Sequence, residues 1–323
     1  MPSTAPTMPE TIEYSFSKQH ACNMCGAGEA QFETLGIRLN QSQGFRPKTR
    51  TGIAVGVRRC RTCRLVFADP QPVPANFDAH YGEPDEYWSE DYQIDDPSYF
   101  RTEIAEAVSL LGNARGLRAL DIGAGIGKAM QALAKQGFDC FGIEPSRSFR
   151  DLALGRGIAS DKLLLAGIED ASFAAESFDY ITFGAVLEHL FSPADALARA
   201  IEWLKPGGII QAEVPSSRYL MSKITNAYFR MRGTNYVTNI SPMHPPFHLY
   251  EFDLASFEMH GRRAGYEIAS HRYGVGGILN LPSLVHPLLR GLMKMSDTGM
   301  QLTVHLRKIE SVPARAPQAA HHA

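Results

Sequence analysis

LDIGAGIGKAM, residues 120–130, places three glycines within five positions, between an apolar run and a helix-forming run. Each glycine forfeits a side chain and costs backbone entropy on folding. A chain keeps such a stretch where its backbone turns sharply and approaches a ligand closely. Around it the pattern alternates. Residues 103–111 read as a helix, 117–123 as a buried strand, and 127–137 as a helix closed by glycine. Residues 139–145 and 146–157 repeat strand and helix, and 163–169, 178–186 and 208–216 supply three more strand-length apolar runs. Before the last of these, Ser192 stands ready to cap a helix with Pro193 in its first turn, stopped by Pro206, Gly207 and Gly208. Residues 266–275 and 300–309 look like two further strands, the last antiparallel. This alternation predicts an α/β domain, a doubly wound, mostly parallel seven-stranded sheet covered on both faces.

In such a sheet, ligands bind at the carboxyl ends of the strands, where the strand order reverses. The turn is Gly123-Ala124-Gly125-Ile126-Gly127, with Asp121 inside the strand before it. The dinucleotide fingerprint spaces its third glycine differently and receives a pyrophosphate, which Asp121 would repel. The spacing therefore speaks against an NAD-dependent oxidoreductase, the alternative reading. An acidic group there suits a cationic aminoacyl ligand.

The stretches LDIGAGIG, the acidic strand end at Glu144, SFDYITFGAVLEHL and LKPGG follow one another over about residues 100–215. In this order and spacing they resemble the class I S-adenosylmethionine-dependent methyltransferases, whose Rossmann-like fold the resemblance implies here. Glu144 lies 19 residues beyond Gly125, where a carboxylate accepts hydrogen bonds from both ribose hydroxyls. By resemblance, the backbone near Ile168 and Glu169 meets the adenine edge. Gly123 and Gly125 let the backbone approach the methionine moiety, and Gly184 and Ala185 line the site near the sulfonium.

The chain has 323 residues, 44% hydrophobic and 20% charged, with a formal net charge of −2. That balance makes no whole-protein case for nucleic acid or an anionic membrane. No secretion signal is legible at the N-terminus, so the reading is cytoplasmic. Four of the five cysteines form two C-x2-C pairs, Cys22/Cys25 and Cys60/Cys63. In a chain without a secretion signal such pairs point to metal, here one structural zinc in a zinc-ribbon-like module spanning 19–70 with a hairpin insertion. Cys140 reads as a buried strand residue. Residues 71–98 form an acidic, aromatic connector, 99–310 the catalytic domain, and 1–18 and 311–323 disordered tails. Arg38, Arg46, Lys48, Arg50, Arg58, Arg59, Arg61 and Arg64 fall in a stretch without acidic residues. They read as a solvated basic face against the acidic connector; the alternative is an RNA methyltransferase gripping phosphates.

The acceptor should lie under cap insertions at 216–252 and 277–297. His189, just beyond the fourth core strand, and His248 on the cap, with His244 and Tyr250 close in sequence, are the candidates to remove the acceptor's proton. The apolar stripe at 278–296 reads as packing within the chain, with a peripheral membrane contact as its alternative. The cysteine module ahead of the core resembles bacterial methyltransferases of sugar, surface-polysaccharide or secondary-metabolite pathways. That implies a small-molecule or sugar acceptor and S-adenosyl-L-methionine as methyl donor.

Overall fold

A computed structural model describes residues 13–39, 53–76, 98–278 and 281–309. The chain begins with β1 (Tyr14–Ser17), β2 (Phe32–Leu39), β3 (Ala54–Cys60), β4 (Val66–Ala68) and β5 (Gln71–Pro74). β1 pairs antiparallel with β5, from Tyr14 opposite Pro74 to Ser17 opposite Gln71. Order thus starts earlier than the expected tail boundary at 18. The rest of both tails, the connector at 77–97 and the insertion at 40–52 lie outside the described residues. β2, β3 and β4 form an antiparallel meander, the expected hairpin within the cysteine module.

The alternating part follows as α1 (Arg101–Leu111), β6 (Arg118–Ile122), α2 (Lys128–Lys135), β7 (Asp139–Glu144), α3 (Arg147–Gly155), β8 (Leu163–Leu165), β9 (Phe178–Gly184), α4 (Pro193–Trp203) and β10 (Leu204–Pro215). Then come α5 (Leu220–Met231), β11 (Tyr250–Glu251), α6 (Leu254–Ala264), β12 (Tyr266–Gly274), α7 (His286–Ser296) and β13 (Gln301–Lys308). The central sheet has seven strands in the order β12-β13-β10-β9-β6-β7-β8. All run parallel except β13, which is antiparallel to both neighbours. The order reverses at β6, so the glycine turn leaving it sits at the switch point.

Strand alternation explains the two cores. Ala119, Cys140 and Tyr180 point to one face, where Ile104 of α1, Leu133 of α2 and Ala153 of α3 cover them. Leu120, Ile122 and Ile181 point to the other, under Leu197, Ala200 and Ile201 of α4 and Phe257 of α6. The cysteine module belongs to this second core: Met24, Cys60, Leu65 and Phe67 lie in the same apolar cluster.

The first cap insertion binds the module along both edges of its sheet. β11 pairs antiparallel with β4, Tyr250 opposite Phe67. At the far edge Ile37 of β2 bridges Tyr236, with Ile37 N donating to Asn235 O at 2.9 Å. The approach is close enough to require glycine at position 36, since a Cβ there would lie 2.2 Å from Asn235 O. Val237, Ile240 and Met243 pack on Val55, Val57 and Val66. In the second insertion α7 buries Met293 against Met221 of α5. Leu284, just ahead of α7, is 89% exposed, and Met295 on it is 87% exposed. No helix among the described residues is long and apolar enough to cross a membrane.

One capping expectation fails. Ser192 makes no cap bond to α4; its hydroxyl donates to Asp195 Oδ2 at 2.6 Å. The cap comes from Asn23, inside the first cysteine pair, whose Oδ1 accepts from Ala194 N at 2.8 Å while its Nδ2 donates to Ser192 Oγ at 3.1 Å.

Candidate active site

The C-terminal ends of the six parallel strands compose the carboxyl edge of the sheet. Gly123, Gly125 and Gly127 all take positive φ as the chain leaves β6, the conformation glycine adopts freely. At Gly123 a Cβ would stand 2.7 Å from Val186 Cγ2, so this position is closed to side chains on two counts. Asp121 is 3% exposed, aligned with Gly142 of β7 and Thr182 of β9. Burial, and then the Glu144 charge, push its carboxyl up to about 8.

Glu144 ends β7 and is 6% exposed. Its Oε2 accepts from Gly125 N at 2.8 Å and its Oε1 from Ser146 N at 2.9 Å. Burial raises its pKa, and these two hydrogen bonds oppose the rise. Each oxygen keeps a lone pair, so two further donors such as vicinal hydroxyls can be received. β8 is tied alongside by Ala166 N donating to Glu144 O at 3.1 Å. Beyond it Ile168 is buried and Glu169 exposed, the carbonyl of Glu169 accepting from Arg199 Nη1 at 2.9 Å. Gly184 closes β9, and Ala185, at φ 56°, donates its N–H to Glu213 O at 3.1 Å. Asp121, Gly123, Gly125, Glu144, Ile168, Glu169, Gly184 and Ala185 thus share one edge. A buried acid, a carboxylate with free lone pairs and a side-chain-free turn fit an adenosyl ligand with a cationic tail.

His189 and His248 meet, although 59 positions separate them in the chain. Their ring centroids are 5.0 Å apart at 74°. Burial, then His189 and His244, hold His248 down to about 3, so its imidazole is neutral across the physiological range. Beside them lies Glu188, 1% exposed, whose Oε1 is 3.8 Å from His248 Nε2. Burial, aided by the Glu213 charge, pushes Glu188 up to about 8 against a hydrogen bond from its own backbone N–H. The sequence reading passed over Glu188; its signal is a carboxylate beside His189 in the apolar LEHL stretch. The cap is held here through its backbone, Leu249 N donating to Glu188 O at 2.8 Å. Tyr250 fastens it further, donating to Phe191 O at 2.9 Å and accepting from Gln71 Nε2 at 2.6 Å. His244 points elsewhere, its Nε2 3.1 Å from Arg38 Nη2.

The four cysteines converge. Cys22 Sγ is 3.4 Å from Cys63 Sγ, Cys25 Sγ is 3.6 Å from Cys60 Sγ, and all four lie within 4.8 Å of one another. A tetrahedral zinc with bonds of about 2.3 Å separates its sulfurs by about 3.8 Å, so the donor set and spacing fit. Both knuckles turn alike: Gly26 at φ 76° donates to Cys22 O, and Arg64 at φ 65° donates to Cys60 O, each at 2.8 Å. Among the described residues, several members of the basic stretch are paired within the module or buried. Arg58 meets Asp69 at 3.1 Å, Arg59 and Arg61 meet Glu33, and Arg38 is buried. Arg46, Lys48 and Arg50 lie outside the described residues.

The fold and this edge define a Rossmann-like methyltransferase. The family model described as a methyltransferase domain matches residues 96–271, more than half of the chain, and the chain belongs to that family. It is an S-adenosylmethionine-dependent methyltransferase. The ubiquinone biosynthesis O-methyltransferase of Burkholderia multivorans is 28% identical over 199 residues, 60% of this chain and 79% of that protein. The demethylmenaquinone methyltransferase of Renibacterium salmoninarum is 29% identical over 145 residues, 44% of this chain and 60% of that protein. Among solved structures, a S-adenosylmethionine-dependent methyltransferase from Mesorhizobium loti aligns with TM-score 0.44 at 16% identity, covering 64% of this chain and 97% of that one. The 1,6-didemethyltoxoflavin-N1-methyltransferase of Burkholderia thailandensis aligns with TM-score 0.42 at 15% identity, covering 68% and 82%.

Proposed function

We propose that the enzyme methylates a hydroxyl of a small-molecule acceptor held between the carboxyl edge of the sheet and the first cap insertion. The observation that carries this reading is the meeting of Glu188, His189 and His248 next to Gly184 and Ala185. A hydroxyl must shed its proton as it is alkylated, and these neutral or acidic groups are the means to manage it. When bound, S-adenosylmethionine supplies an electrophilic methyl group on a sulfonium. Glu144 receives the ribose hydroxyls, Asp121 meets the amino group, and the backbone at Ile168 and Glu169 faces the adenine edge. Gly123 and Gly125 admit the methionine moiety, and Gly184 and Ala185 leave room beside the sulfonium. The cap excludes water and aligns the acceptor. Cys22, Cys25, Cys60 and Cys63 hold one zinc, which is structural because four thiolates leave no open position.

The O-methyltransferase named among the relatives supports a hydroxyl acceptor, and a sugar hydroxyl falls in the same class. The test is methyl transfer from labelled S-adenosylmethionine to parallel panels of phenols, sugars, amines and mixed RNA. Label in a phenol or sugar hydroxyl is expected. Label confined to RNA or to amines would replace this reading.

A further inference from the structure

We infer that Glu188, His189 and His248 form a second metal site, one that takes a divalent first-row cation with open positions for the acceptor oxygen. The inference rests on the small-molecule hydroxyl reading for its chemistry, and on geometry for the site itself. Each of the three residues offers one ligand atom, and these atoms lie within 4.8 Å of one another. An ion with bonds of about 2.1 Å separates adjacent ligands by about 3 Å and opposed ones by about 4.2 Å. A small inward rotation of side chains completes the set.

The carboxylate gives the second reason. Glu188 is 1% exposed, and its Oε2 has no hydrogen-bond partner. Its Oε1 stands 3.8 Å from His248 Nε2, too far for a hydrogen bond. A buried carboxylate oxygen without a donor is costly, and a cation is a partner that offsets the cost. The backbone role of Glu188, accepting from Leu249 N, uses its carbonyl and leaves the side chain over. Two imidazoles and one carboxylate on one side of an ion leave its remaining positions open, unlike the closed four-thiolate knuckle.

The site also explains where its members come from. Glu188 and His189 follow β9, whereas His248 belongs to the cap just ahead of β11. An ion held by all three ties the cap to the sheet beside the residues assigned to the sulfonium. An acceptor hydroxyl bound to it loses its proton to water more readily, as metal-bound water does. An oxygen lone pair then forms the C–O bond while the C–S pair returns to sulfur, giving methyl ether and S-adenosylhomocysteine.

Mn2+ is the probe, because it favours oxygen and nitrogen ligands and leaves the thiolates to zinc. Titration of the zinc-loaded full chain, followed by loss of the free Mn2+ electron paramagnetic resonance signal, should show one Mn2+ per chain. Glu188→Gln keeps shape and backbone bond, and should weaken binding at least tenfold; His248→Asn should do the same. Circular dichroism confirms that each variant is folded. Hydrogen exchange over residues 241–251 should slow with Mn2+ in the native chain and not in the variants. Absence of Mn2+, Co2+ and Zn2+ binding beyond the knuckle ion overturns the inference, as does unchanged affinity in Glu188→Gln. The two proposals fail separately. Full methyl transfer to a hydroxyl in chelated protein removes the cation and leaves the hydroxyl, whereas Mn2+ binding without any hydroxyl product does the reverse.

Discussion

Asp121 and Glu144 lie on adjacent strands of a buried edge, and burial, followed by the Glu144 charge, has a measurable outcome at Asp121. Asp121 is held up to about 8 in the folded protein, against about 3.9 in the unfolded chain. Folding therefore takes up a proton in this interval, and the contribution of Asp121 to stability declines as pH rises from about 4 to about 8. A cationic amino group arriving beside it reverses the preference. Binding of S-adenosylmethionine at pH 7 should release a fraction of a proton, approaching one per site. Calorimetry in two buffers of different ionisation enthalpy reads this directly, and Asp121→Asn should abolish the difference. Glu144→Ala should weaken the cofactor by about 1.5–3 kcal/mol, roughly ten- to a hundred-fold in Kd, the worth of hydrogen bonds to a charged group. Unchanged affinity would remove the ribose assignment. His248→Ala should lower kcat by about 10²–10⁴-fold with little change in cofactor Kd; a near-normal kcat would leave the residue only shaping the pocket.

Among the elements, α4 shows what a local reading can and cannot reach. Its start at Pro193 and its stop before the Lys205-Pro206-Gly207-Gly208 stretch are where the residues indicate. Its cap is not, because Ser192 is occupied by Asp195 and Asn23 reaches in from 171 positions away. Asn23→Ala should cost about 1 kcal/mol, or about 2–4 °C in Tm by scanning calorimetry, without loss of zinc. Ser192→Ala, by contrast, should leave α4 capped. The glycine turn, the strand runs and the two cysteine pairs carry their signal within a few residues, so the fold, the glycine turn at the strand edge and the convergence of the four cysteines are legible in the sequence. Glu188 beside His248, Glu33 beside Arg59 and Asn235 against Gly36 are meetings across long stretches of chain. No local periodicity encodes them, which is why neither Glu188 as a neighbour of His248 nor the ion pair of Arg59 with Glu33 can be read from the sequence.

At the scale of the whole molecule, the knuckle, the cap and the catalytic edge share one framework. Met24 and Cys60 belong to the same apolar cluster as Leu120 and Ile181, and the cap lies along both edges of the module sheet. Stripping the four-thiolate metal should therefore speed hydrogen exchange at 235–251 as well as at 22–63, and methyl transfer should fall with it. Exchange confined to 22–63 would show the module to be energetically separate. The pairing of β4 with β11 also sets a schedule for synthesis. These strands lie roughly 180 residues apart, a delay of roughly 10–40 s at ordinary translation rates. Throughout it, the nascent chain carries an open sheet edge at β4, the kind of edge that recruits foreign strands. Chains ending before residue 250 should be aggregation-prone and bound by chaperones, and the full chain should not.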